Sequence, residues 1–388
     1  MYINVQIAYY MIGVLLILMT IFIMATLSLK WNKKRVEKRR AQCLVRHKDY
    51  LDYVQMHLGE EDRLRTPGGS LTTFERRVLQ SELVQWINRL DGVYRHRLLR
   101  LCGDLGLVEH NLKRLGSHRP LVRLDAAYHL GALRAPEATS SLLSLLYKKR
   151  VDSSSFIYAR AAAQTATQLS EMGDLLRFLI ENGKQDVHLT ADITRESELD
   201  LTQLFITFLH EKNPKYVKLG LIGLQNSVKA DLPDRIQELT KSDDRDIRMN
   251  AAKLLISSVD LSEEDVQFYL AFPDWEVRRL FAEWIGRSGL IQYIPLLSTR
   301  MEDVNWMVAR ASAASLVRMG DEGFEALCQL AVGNGSEHGR ALAREFIEED
   351  LKQSAAASSH VEDIMSHNHK EFLYKKYFEN HQTLTNVM

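Results

Sequence analysis

The first twenty-nine positions carry no Asp, Glu, Lys or Arg, and within them Ala8 to Leu29 reads AYYMIGVLLILMTIFIMATLSL. At about 1.5 Å of rise per residue this run predicts a helix of roughly 33 Å, enough for a hydrocarbon core of about 30 Å. Tyr9, Tyr10 and Trp31 stand near its ends, where amphipathic rings favour a lipid–water interface. The pattern then reverses. Lys30, Lys33, Lys34, Arg35, Lys38, Arg39 and Arg40 place seven cations in eleven residues, with Glu37 the one acid among them. Cations on one flank hold that flank in the cytoplasm, so the expected topology is a single-pass cell-membrane protein with its N-terminus outside. A cleaved signal peptide would place cations before the apolar run and a small-residue site after it; the order here is the opposite. The seven cations form a candidate membrane-surface set. They act either as a topology signal in contact with anionic lipid or as a dedicated regulatory lipid site.

Polar and apolar positions next alternate with helical period. Leu44, His47, Leu51, Val54 and Leu58 fall at a and d spacing, but for two heptads only. A short amphipathic helix docked on the body fits better than a coiled-coil dimer. Cys43 is expected to be a buried thiol rather than a lipidation site. Thr66-Pro67-Gly68-Gly69-Ser70 breaks the helix and supplies a cap for the next one.

From Leu71 onward the pattern repeats. Val122-Arg123 is followed by Ala126-Ala127, Leu130 and Gly131. The same spacing recurs from Tyr94-Arg95, Val217-Lys218, Ile247-Arg248, Val277-Arg278 and Val308, and more weakly from Ala159-Arg160. Anchors at 94, 122, 159, 217, 247, 277 and 308 step by 28, 37, 58, 30, 30 and 31 residues. The step of 58 leaves room for a degenerate unit near 174–200, which makes about eight in all. Each unit predicts a first helix with an apolar face, such as Ala138 to Leu146 or Leu290 to Leu297. A turn bearing Asp, Asn or Pro then caps a second helix, as at Asn213-Pro214 and Pro273-Asp274. Alanine pairs sit where helices must approach closely. One hairpin cannot bury its apolar face alone, whereas stacked hairpins bury a continuous core.

The strings VRLDAAYHLGALRAPEATSSLLSLL and DWEVRRLFAEWIGRSG resemble HEAT-like repeats of the phycobilisome-lyase type, whose period is near 30. The resemblance covers roughly residues 90–335. It implies an all-α fold: an α-solenoid of about eight HEAT-like hairpins behind one N-terminal transmembrane helix, usually employed in protein binding. The polar stretch Gly183 to Asp200 and the loss of the cation at Ala309 depart from the pattern. The expected domains are an extracytoplasmic tail over 1–7, the span over 8–29, a basic and amphipathic segment over 30–65, the solenoid over 71–350 and a tail over 351–388.

Composition agrees with a helical chain. Seven prolines and twenty glycines occur in 388 residues. Lys and Arg number 50 against 50 Asp and Glu, so no global field draws the chain to nucleic acid. Three widely spaced cysteines suggest neither a disulfide framework nor a zinc site. No HExxH, GxxxxGK[ST], GxGxxG or GxSxG string occurs.

The candidate partner-binding residues are Arg95, Arg123, Arg160, Lys218, Arg248 and Arg278, which share one repeat position, and Trp284. The cations either line a groove for an acidic partner or pair with turn acids such as Asp244, Asp246, Asp274 and Asp303. The second, structural reading is favoured, as is the resemblance's own implication. Trp275 and Trp306, 31 residues apart, suggest a repeated packing role. Asp274 beside Trp275 and Arg278 superficially suits a HEAT-like glycosylase, but also reads as a helix cap. His367-Asn368-His369 has no converging ligands, and no metal is expected. Ser354 to Ser359 reads as a linker, Glu371 to Glu379 as a short helix capping the last repeat or docking elsewhere, and HQTLTNVM as disordered.

The chain therefore reads as a bacterial, membrane-anchored scaffold that binds membrane-associated protein partners. Envelope or surface-polysaccharide assembly is the context guessed. No catalysis, cofactor, nucleic acid or small-molecule substrate is expected. A HEAT-like lyase or glycosylase and an anionic-lipid sensor are the alternatives.

Overall fold

A computed structural model describes residues 2–60, 63–148, 154–182, 187–225, 234–258, 261–357 and 360–385. It is all-helical: no strand occurs among the described residues. The chain divides into two compact units, one of Met1–Lys184 with Ile193–Leu199, the other of Gln185–Asp192 with Asp200–Met388.

The first unit holds α1 (Tyr2–Arg46), α2 (Lys48–His57), α3 (Thr73–Ile87), α4 (Gly92–Asp104), α5 (Leu107–Leu115), α6 (Pro120–Ala132), α7 (Thr139–Tyr147), α8 (Ser155–Thr165) and α9 (Leu169–Asn182). Helix α10 (Val187–Thr194) comes next, within the stretch where the sequence pattern lapses. The second unit holds α11 (Thr202–Phe208), α12 (Pro214–Leu224), α13 (Arg235–Leu239), α14 (Arg245–Ser258), α15 (Glu263–Leu270), α16 (Trp275–Ser288), α17 (Ile294–Arg300), α18 (Trp306–Arg318), α19 (Gly320–Val332), α20 (Glu337–Ala357) and α21 (Val361–Thr385).

Helix α1 changes character along its length. Its apolar part is long enough to cross a membrane, and the described side chains there, Leu15 to Leu29, are exposed. Its last turns dock on α3. Cys43 is buried, Arg40 pairs with Glu82 at 2.7 Å, and Arg46 pairs with Glu75 at 2.9 Å. Helix α3 starts at a capping box in which the Thr72 hydroxyl and N–H donate to Glu75 at 2.7 and 3.0 Å, while Glu75 N–H donates back to Thr72 Oγ1 at 3.3 Å. Those Thr72 bonds, with Arg46 and His47 adding to them, hold the Glu75 carboxyl down at about 2. A short turn at His47 leads to α2, whose Val54 joins a core with Leu64, Leu83, Leu98, Leu101 and Cys102. The segment expected as one helix through Leu44, His47, Leu51, Val54 and Leu58 is divided at His47, its first part continuing α1 and its second forming α2.

The repeats stack as the pattern requires. In the first unit α6 packs on α8, with α5 and α7 as flanking first helices. In the second unit α12, α14, α16 and α18 succeed one another, accompanied by α11, α13, α15 and α17. The alanines at 126, 127, 251, 252, 282 and 313 are fully buried between these helices. Glycines mark the tightest crossings. A Cβ on Gly131 would lie 2.9 Å from Ala161 Cα, and one on Gly286 2.6 Å from Ser315 Cα.

The ends differ from the sequence reading. Of the expected linker Ser354 to Ser359, Ser354–Ala357 continue α20, which packs against α21, and 358–359 lie outside the described set. Helix α21 is far longer than the expected Glu371 to Glu379. It packs on α19 and α20, buries Leu373, and pairs Lys370 with Asp350 at 2.8 Å and Lys376 with Glu325 at 2.9 Å. Its helix includes His381 to Thr385, where disorder was expected; residues 386–388 lie outside the described set. Of the polar stretch 183–200, residues 187–194 are helical and 183–186 lie outside the described set.

Candidate functional site

In the second unit the repeated cation serves the stacking. Arg248 Nε donates to Asp274 at 2.6 Å, and its Nη1 donates to the Ser242 carbonyl at 2.7 Å. Arg278 does the same one repeat later: Nη2 and Nε donate to Asp303 at 2.7 and 2.8 Å, and Nη1 to the carbonyls of Phe272 and Pro273 at 2.7 and 2.9 Å. Lys218 reaches Asp244 at 3.0 Å and Asp246 at 2.9 Å. Arg248 and Arg278 thus tie their own turns to the turn of the next repeat, and Lys218 reaches the next turn.

The acids in this ladder also order the helix starts: Asp274 is the N-cap of α16, and Asp303 holds Asn305, the N-cap of α18. Asp274 accepts the Glu276 N–H at 2.7 Å and Asp303 the Asn305 N–H at 2.9 Å. Burial pushes the Asp303 carboxyl up, but Arg278 and the Asn305 N–H outweigh it and the net shift is downward. Asp244 is shifted down in the same way, with Lys218 opposing burial. Asp274 is therefore occupied by a guanidinium and a cap, the structural alternative to the glycosylase reading. The aromatic expectations hold less well. Trp306 is 62% exposed, whereas Trp275 is half-buried, so the two do not share one packing role, although both stand first in their helices. Trp284 is half-buried with its ring edge on Phe281.

The first unit uses the same position differently. Helices α4, α6 and α8 line a groove of about 450 Å³, with Asn88, Arg95, Tyr128, Arg134, Arg160 and Glu196 on its walls. Among the described residues no turn acid of the next repeat meets Arg95 or Arg160. Instead Arg160 Nε lies 3.0 Å from Glu196, and Arg95 Nη1 3.3 Å from Glu198. Arg95 also pairs with Asp91 at 2.9 Å and donates to the Leu90 carbonyl at 3.0 Å. Gln164 donates to Glu196 at 2.8 Å. Arg123, the copy between them, does not line the groove: its Nε is buried with no hydrogen-bond partner among the described residues.

A third arginine, missed in the sequence reading, completes the groove. Arg134 Nε lies 2.9 Å from Glu198, and its Nη1 donates to the Glu196 carbonyl at 3.0 Å. Burial pulls its pKa down, against the pull of Glu198. Arg134 has φ of 46°, the one non-glycine with a left-handed φ among the described residues. It stands twelve residues after its repeat anchor. Gly106, Gly289 and Gly320 stand twelve after theirs, at φ of 65°, 61° and 70°. An L-residue in that region costs about 1–2 kcal/mol, so arginine replaces the residue that the backbone favours. That substitution of Arg for a periodic Gly was the signal available in the sequence.

The membrane-surface cations stand on one helix. Lys30, Lys33, Lys34, Arg35, Lys38 and Arg39 are exposed on α1, whereas Arg40 turns inward to Glu82 and Ser81. Arg40 thus belongs to the docking of α1 rather than to an open cationic face. Among the described residues no three His, Cys, Asp or Glu side chains gather as a metal site. His367 Nδ1 is bonded to Ser354 at 2.9 Å, and His369 lies 3.8 Å from Asp321.

Comparison with protein families matches residues 122–148 to the PBS lyase HEAT-like repeat. The matched stretch runs from α6 through the 3-10 turn Pro136–Ala138 and α7. It is one second helix and the first helix after it, the same α6 that carries Tyr128 into the groove and ends just before Arg134. Comparison with curated proteins returned no match.

Proposed function

We propose that this HEAT-like repeat chain is a single-pass, membrane-anchored scaffold whose helical repeats bind protein partners at the cytoplasmic face of a cell membrane. The observation that carries the reading is the division of α1. Its exposed apolar part is of spanning length, the cationic stretch comes after it, and the last turns are fastened to α3 by Cys43, Arg40 and Arg46. Apolar side chains such as Leu16, Phe22 and Met24 are costly to leave in water at about 25 cal/mol per Å². A bilayer would cover them. The positive-inside rule then sets the repeats in the cytoplasm.

Anchoring confines the repeats to the two-dimensional neighbourhood of other membrane-bound proteins, which raises their effective concentration for one another. The ion-pair ladder supports binding rather than turnover, since the best-placed acids are spent as caps and bridges.

Crosslinking of the tagged full-length protein in native membranes, followed by mass spectrometry, tests the scaffold. A reproducible set of membrane-associated partners, lost when Leu18 and Phe22 are both replaced by Arg, is the expected result. A protein that stays in the soluble fraction at high salt, or one that recovers no specific partner, overturns the reading.

A further inference from the structure

We propose that the arginine groove of the first unit is a binding site for an acidic protein segment that carries an aromatic or aliphatic side chain beside its carboxylates, and that the chain's own Glu196-Ser197-Glu198 occupies it in cis. This rests on the scaffold reading and names the chemistry of its partner.

Arg95 keeps the ladder's bond to its own turn, at the Leu90 carbonyl, but the groove departs from the ladder in the distant acids its arginines meet. In the second unit a cation meets the turn acid about one repeat ahead, at 25 to 28 residues' distance. In the first unit Asp91 of its own turn reaches Arg95, but the acids that Arg95 and Arg160 share the groove with come from the segment between α10 and α11, 36 to 103 residues away. Three arginines from three places converge on two glutamates two residues apart. Arg278 and Asp303 of the ladder are 10% and 3% exposed, whereas each groove pair has one open partner: Arg160 is 57% exposed against 28% for Glu196, and Glu198 is 50% exposed against 23% for Arg95 and 19% for Arg134. Exposed pairs contribute little to stability and exchange readily, so the segment is held by contacts that a competing carboxylate can replace.

Two further observations favour a ligand. Arg134 occupies a left-handed position that glycine fills in three other repeats, and the groove is where its guanidinium is directed. Backbone strain held in place at a cluster of charges is a mark of a binding site. The cis segment also satisfies only the charged part of the groove. Tyr128 and Ile157 on its walls remain 52% and 38% exposed. A partner bearing an apolar side chain next to its acids covers them and gains what the cis segment does not, while planar guanidinium forks read paired carboxylates with directional bonds.

The test uses full-length protein in detergent and a fluorescein-labelled peptide containing Phe-Glu-Ser-Glu, read by fluorescence anisotropy. Glu196→Gln with Glu198→Gln removes the competing carboxylates from the groove and is expected to tighten peptide binding at least fivefold over the unaltered protein. Arg160→Gln added to that variant removes the gain, and a Phe-Gln-Ser-Gln peptide does not bind. Should the double variant unfold by circular dichroism, Glu196→Gln alone, which releases Arg160, gives the same comparison. A folded variant with a lower melting temperature and no gain in binding shows the glutamates to be a structural clamp and overturns the proposal. If Arg160→Gln abolishes no binding while membrane crosslinking still recovers the partner, the groove is wrong and the scaffold stands.

Discussion

Arg278 and Asp303 are joined by two parallel hydrogen bonds of 2.7 and 2.8 Å across consecutive repeats, and the carboxylate also accepts the N–H of Asn305, the residue that caps α18. One contact therefore fixes both the spacing of two repeats and the start of a helix. A buried pair of this kind adds little over an apolar pair, but breaking it leaves an uncompensated charge.

Arg278→Met is expected to destabilise the second unit by about 3 kcal/mol. Asp303→Asn keeps an oxygen for the Asn305 N–H and costs less, about 1–2 kcal/mol. Urea unfolding monitored by circular dichroism measures both. Equal losses for the two variants would contradict the double role of Asp303.

Gly286 lies against Ser315, whose hydroxyl donates to the Ala282 carbonyl at 2.9 Å. Gly286→Ala drives a methyl to within 2.6 Å of Ser315 Cα, a backbone atom that cannot rotate away. Overpacking of this kind costs about 1–3 kcal/mol. Ser315→Ala in the same chain does not restore the melting temperature, because the clash with Cα persists.

All three thiols are buried, and burial pushes each of them up, Cys102 and Cys328 to about 12. The thiolate is the reactive form. Iodoacetamide at pH 8 is expected to label none of the three in the native protein and all three in urea, as counted by intact mass. Rapid native labelling of Cys43 would show that α1 is not docked on α3.

Glu75 joins α1 to the start of α3, and its folded pKa of about 2 lies below the ordinary value of 4.5. A depressed carboxyl contributes stability that is complete above its unfolded pKa and lost as pH falls through the folded one. Protection of the α1–α3 junction from hydrogen exchange should therefore hold at pH 6 and weaken between about pH 4.5 and 2. Glu75→Gln removes that pH dependence; a junction that weakens identically in the variant would assign the effect elsewhere.

Much of the repeat architecture was legible in the residues alone. The thirty-residue period located α12, α14, α16 and α18 through their anchors, because each helix needs an apolar face at 3.6-residue spacing and small residues where backbones meet. Asn213 and Asp274 announced their caps by residue type. What escaped was Arg134, since nothing local marks a left-handed φ in arginine except the glycines of the other repeats. Helix α21 was underestimated because its polar sequence is ordered by packing on α19 and α20, not by its own pattern.

By itself the sequence determined the features that short-range chemistry sets: a long apolar helix, a helical repeat, and capped turns with cations at one register. Which acid each cation meets was decided by tertiary structure alone. Arg248 and Arg278 find the next turn because stacked repeats bring it within reach, while Arg95, Arg134 and Arg160 find Glu196 and Glu198 because a distant segment returns to the first unit. Coulomb attraction falls with separation in space and is indifferent to separation along the chain, so identical residues at one repeat position acquired different roles.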